Sequence, residues 1–93
     1  MKVLICGVPP KQVNRVLQQT QHAYIVCLTD QDSDSLWVQM VRPADLCVII
    51  PRNMAHKWFV LVKGVFGRSY VNAPSLKEAI RIVNNAICER KTS

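Results

Sequence analysis

Five consecutive apolar residues, Leu46-Cys47-Val48-Ile49-Ile50, run into Pro51, and Arg52-Asn53 and a second apolar-rich stretch follow. A continuous run rich in β-branched residues suits a strand covered on both faces, the usual situation in a parallel sheet. Ligands of such sheets collect at the carboxyl ends of the strands, beside the first turn of the next helix. The remaining segments are read around this strand.

Two other segments share its character. Lys2-Val3-Leu4-Ile5-Cys6 predicts a first strand that ends at Gly7. Pro9-Pro10 then forbids sheet pairing but suits a helix's first turn, and a helix is expected from Pro10 to about Gln21 with Val13, Val16 and Leu17 as its inner stripe. Ala23 to Leu28 reads as the second strand, and the Asp30–Ser35 turn leads to a short helix over Ser35–Val41. Asn53 is taken as the N-cap of a helix over residues 54–63 that stops at Gly64. Residues 68–72 form the fourth strand. Ser75-Leu76-Lys77-Glu78 has the form of a capping box, opening a helix to about Arg90 whose inner stripe is Leu76, Ala79, Ile80, Val83 and Ile87. Residues 89–93 are expected to fray.

Alternating strands and helices over 93 residues predict one domain, 1–93, of the α/β class. Right-handed crossovers allow a three-layer αβα, Rossmann/flavodoxin-like arrangement with a four-stranded parallel sheet in the order 2-1-3-4, which is the expected architecture. The first and last helices then share one face of the sheet, and the middle two share the other. The switch point falls between strands one and three, with Cys6-Gly7-Val8-Pro9 on one wall and Pro51-Arg52-Asn53 with His56 on the other.

Composition narrows the class. No apolar run approaches the roughly 20 residues that span a bilayer, and the start lacks a signal peptide's pattern, so a soluble cytoplasmic protein without membrane association is expected. The four cysteines form no C-x-x-C pair, which argues against a zinc site and for small buried thiols in a reducing compartment. The net charge of +6 lies entirely in the second half: residues 1–45 carry four basic and four acidic side chains, residues 46–93 eight and two. That asymmetry favours an anionic partner. Nucleic acid ranks low among such partners, because there is no basic run, recognition helix or stacking motif.

The corner after strand three has the residues to hold an anion. His56 lies in the first turn of its helix, where free amides and the dipole favour negative charge, and Lys63 lies on the same face about 10 Å further along. Arg52, Asn53 and His56 can together hold a phosphate or carboxylate. The plainer alternative makes Asn53 a cap, His56 a surface imidazole and Lys63 a charge that satisfies the helix dipole.

Enzyme readings fit less well. A cysteine at the end of strand one followed by a loop into a helix is the arrangement of thiolate phosphatases, but Pro9 and Pro10 remove amide donors and no arginine stands in the loop. Gly7 stands without a G-x-G-x-x-G fingerprint. The Asp30, Asp32, Asp34 cluster lacks the glycine and distal glutamate of a calcium loop. Pro51 occupies the place where a receiver domain needs its aspartate.

Ala44-Asp45 before the apolar strand, then Asn53-Met54-Ala55-His56, Lys63 and Ser75-Leu76, resembles a bacterial family of small Rossmann-like proteins catalogued as domain of unknown function 2325. The resemblance is best from Ala44 to Ile80. It implies that His56, Lys63 and Ser75 fall on recurring positions of that family, and it implies no assigned activity and no cofactor.

The expected function is a non-enzymatic module that binds a small anionic, nucleotide-like ligand at the switch point, through Gly7, Arg52, Asn53, His56, Lys63 and Ser75. The alternative is a regulatory or protein-interaction module that forms a homodimer through the apolar helix 54–63.

Overall fold

The computed structural model describes residues 1–20 and 24–92. Four strands, β1 (Lys2–Cys6), β2 (Tyr24–Leu28), β3 (Leu46–Ile49) and β4 (Tyr70–Asn72), form one parallel sheet in the order β2-β1-β3-β4. The registers place Ile5 opposite Cys27 and Val48, and Val48 opposite Val71. The apolar run 46–50 is therefore an inner strand with parallel neighbours on both sides, and Cys47 through Ile50 are buried. A Rossmann-like three-layer α/β fold results.

Helices α1 (Val13–Gln19), α2 (Asp34–Met40), α3 (His56–Phe66) and α4 (Leu76–Thr92) cover the two faces. Alternate residues of each strand feed opposite cores. Val3, Ile5, Val48 and Ile50 pack with Val16 of α1 and with Ala79, Ile80, Val83 and Ile87 of α4. Leu4, Cys6, Cys47 and Ile49 pack with Trp37 of α2 and with Trp58 and Val62 of α3. The helices pair across the sheet as expected.

Element ends differ from the sequence reading for identifiable reasons. Pro10–Gln12 is a 3-10 turn, so α1 proper has seven residues, and Leu17 of the expected inner stripe is 41% exposed. Gln21 and Ala23, which the reading placed at element ends, lie outside the described residues, as does Ser93. Helix α2 starts at Asp34 because Ser33 caps it, its hydroxyl accepting the Leu36 N–H at 3.2 Å. Asn53 is not the cap of α3. Pro51–Asn53 forms a 3-10 turn, Met54 and Ala55 are extended, and α3 begins at His56 with Ala55 as an N-cap that has no side-chain oxygen to offer. Gly64 does not end α3 either; the helix runs through it to Phe66 and stops at Gly67, whose φ of +62° a side chain would resist. Strand β4 is accordingly shorter than the expected 68–72. Helix α4 continues through the residues expected to fray, as far as Thr92. No helix among the described residues is long and apolar enough to cross a membrane.

Candidate functional site

The carboxyl edge of the sheet is built around Gly7. Its φ is +92°, and a Cβ at this position would lie 2.8 Å from the Ile50 carbonyl oxygen and 3.0 Å from Met54 Cγ. The chain leaving β3 passes so close to the end of β1 that only glycine fits. The space Gly7 leaves open is thus filled first by the protein itself, whereas the sequence reading assigned it to a ligand.

The loop after β1 is tied to β2. The amides of Gly7 and Val8 both donate to the Leu28 carbonyl, at 2.9 and 3.1 Å. Pro9 and Pro10 carry no N–H at all. Residues 7–10 therefore hold out no amide hydrogen to a phosphate, unlike the glycine-rich loops that use this location in many α/β folds.

A cavity of about 250 Å³ opens beside this loop. Gly7 to Pro10 line one side, Asp30 and Gln31 another, and Asn53 closes it from the β3 exit. Asp30 is held at the rim by a knotted turn. The Thr29 amide donates to Asp32 Oδ2 at 2.9 Å, the Asp32 amide donates to the Thr29 carbonyl at 3.1 Å, and the Gln31 amide donates to Thr29 Oγ1 at 3.2 Å. The Trp37 indole Nε1 donates to the same Thr29 carbonyl at 2.9 Å and fastens the turn to α2. Asp32 is consumed in this scaffold, whereas Asp30 faces the cavity and is exposed.

Of the six residues selected from the sequence, Gly7 and Asn53 meet at this cavity. Arg52 and His56 are exposed on the adjoining corner between β3 and α3, and His56 is the first residue of α3. Lys63 is exposed two helical turns away. Ser75 is a cap: its hydroxyl accepts the Glu78 N–H at 3.3 Å. The reciprocal half of the expected capping box is replaced, because the Glu78 carboxylate pairs with Arg81 at 2.7 Å.

Asp30 and Gln31 are site residues that the sequence reading missed. A signal was available. With strand order 2-1-3-4, the residues leaving β2 flank the loop that leaves β1, so this crevice has walls from three strands rather than two.

The cysteines offer no nucleophile to this edge. A hydrogen bond with Cys47 and burial push the Cys6 thiol far above its ordinary range, and burial pushes Cys27 up to about 11. Cys47 is buried as expected; Cys88, expected to be buried, is exposed, because α4 turns that position outward. The apolar character of α3 is also mostly spent inward. Trp58 and Val62 are buried and Phe59, Leu61 and Phe66 half-buried, leaving Val60 and Val65 as the exposed large apolar side chains of this helix.

No family model, curated protein or solved structure matches the chain in comparisons with known proteins.

Proposed function

We propose that this protein is a non-enzymatic Rossmann-like module that binds a small nucleotide-like ligand at the carboxyl edge of its sheet. The observation that carries the reading is the cavity shared by Gly7, Asp30 and Asn53 at the ends of β1, β2 and β3. Open α/β sheets bind their ligands at this topological position.

The chemistry of the lining divides the ligand into two parts. The Asp30 carboxylate and the Gln31 and Asn53 carboxamides supply acceptors suited to hydroxyl or amino hydrogens, such as those of a sugar or base. The anionic part belongs outside the proline loop, toward Arg52, His56 and the start of α3, where no side chain caps the first amides. The raised pKa values of Cys6 and Cys27 favour binding over thiolate catalysis.

Thermal denaturation with adenosine, adenosine monophosphate and inorganic phosphate tests this reading. A ligand at 100 times its Kd contributes about 2.7 kcal/mol, which is a rise of several degrees for a domain of this size. Asp30→Asn is expected to abolish the rise with both adenine compounds, and His56→Ala to weaken only the monophosphate. Absence of any rise at millimolar nucleoside or nucleotide rejects it.

A second reading, homodimerisation through α3, draws on Val60, which is 54% exposed, and Val65 on the same helix. Sedimentation velocity decides it: the reading requires a dimer that Val60→Asp dissociates.

A further inference from the structure

A second cavity lies elsewhere. A groove of about 330 Å³ opens between α1 and α4, and it has no residue in common with the crevice at the sheet's edge. Its base is apolar: Leu76 and Ile80 line it and belong to the core packed beneath α4. Its flanks are cationic, with Arg15 from α1 and Lys77 and Arg81 from α4, all three exposed.

The one carboxylate among the described lining residues, that of Glu78, is already engaged. Arg81 Nε donates to Glu78 Oε1 and Oε2 at 3.2 and 3.0 Å, and Nη2 donates to Oε2 at 2.7 Å. That pairing uses one edge of the guanidinium and fixes its plane, and the Nη1–Nη2 edge remains for a second acceptor. Helix α1 contributes no acidic residue that would compete for it. The groove therefore keeps an excess of positive charge over an apolar base.

We propose that this groove binds an amphipathic organic anion, an aliphatic or aromatic body carrying one carboxylate. The carboxylate lies between Arg15 and the open edge of Arg81, and the body covers Leu76 and Ile80. Both parts are required. Cations this exposed hold a bare ion weakly against water and salt, so buried apolar surface must supply the remaining affinity. A nucleic-acid strand is a poorer fit, because no aromatic side chain among the described residues lines the groove to stack a base.

The test is a titration of the ¹⁵N-labelled full chain, followed by amide shifts, with hexanoate, hexanol, inorganic phosphate and a short single-stranded oligonucleotide. Hexanoate is expected to give saturable shifts at Arg15, Gln19 and residues 76–81, with hexanol and phosphate each at least fivefold weaker. Arg15→Gln, which leaves the Glu78–Arg81 pair intact, should weaken hexanoate at least fivefold, and Asp30→Asn should leave it unchanged. The proposal is overturned if phosphate alone binds as tightly as hexanoate. It is equally overturned if the oligonucleotide binds these residues more tightly, or if Arg15→Gln, folded by its own spectrum, has wild-type affinity.

Discussion

The indole rings of Trp37 and Trp58 stack with their centroids 4.7 Å apart and their planes 4° from parallel. One ring belongs to α2 and the other to α3, so the pair joins the two helices on their shared face of the sheet, and both side chains are buried. Lys57 Nζ lies 4.6 Å from the Trp58 ring centroid and 3.3 Å from Asp34 Oδ1, which adds an exposed charge contact across the same helix pair. Through its Nε1–H, Trp37 also anchors the turn that carries Asp30 to the cavity.

Substitutions at Trp37 separate packing from anchoring. Trp37→Phe keeps an aromatic ring against Trp58 but leaves the Thr29 carbonyl without its indole donor, an expected cost of about 1–2 kcal/mol. Trp37→Ala also opens a cavity and is expected to cost about 3–5 kcal/mol. Urea denaturation measures both, and near-ultraviolet circular dichroism reports loss of the stacked pair.

Glycine positions should respond with opposite sign. Gly7→Ala meets the Ile50 carbonyl at 2.8 Å in a left-handed backbone conformation, and a loss of about 1–3 kcal/mol is expected. Gly64→Ala sits inside α3, with nothing within 4 Å of the added methyl, and should gain about 0.5–1 kcal/mol. Melting temperatures of the two variants check the pair of signs.

Capping residues give a second contrast. Ser75→Ala removes the acceptor for the Glu78 N–H and is expected to cost about 1 kcal/mol. Asn53→Ala removes no cap, so its stability should stay within about 0.5 kcal/mol of wild type. A loss at Asn53 equal to that at Ser75 would contradict the observed start of α3.

Alkaline pH should destabilise the fold through Cys27. Burial raises the folded-state pKa from 9.0 to about 11, so the thiol favours the native state only while protonated. The contribution is complete below pH 9 and fades as pH rises toward 11, because the unfolded chain releases its proton first. The expected loss is on the order of 1–2 kcal/mol, allowing for solvent screening at a half-buried site. Chemical denaturation at pH 8 and pH 11 should differ more for wild type than for Cys27→Ala.

The strand at 46–50 was legible because its residues are apolar on both faces, a local property that survives without knowledge of any neighbour. The inner stripes of α4 were legible for the same reason at helical period. Asn53 misled because a polar residue before an apolar stretch has the signature of a cap. The proline-led turn and the passage of Met54 beside Gly7 delay the helix, and neither is written in a local window. Asp30 was overlooked because its partner in the crevice, Asn53, is distant in sequence and meets it only through strand order.

Hydrophobic period and the positions of proline and glycine by themselves determined the class and the four strand–helix units, and right-handed crossovers allowed the 2-1-3-4 order that the sheet adopts. Each of those depends on burial patterns within one segment and on the handedness of its connection. Tertiary structure alone decided where α3 begins, that the loop after β1 has surrendered its amides to β2, and that the α1–α4 groove keeps its cations. Those outcomes arise where separate segments approach one another, and hydrogen bonds and close contacts between distant residues set them.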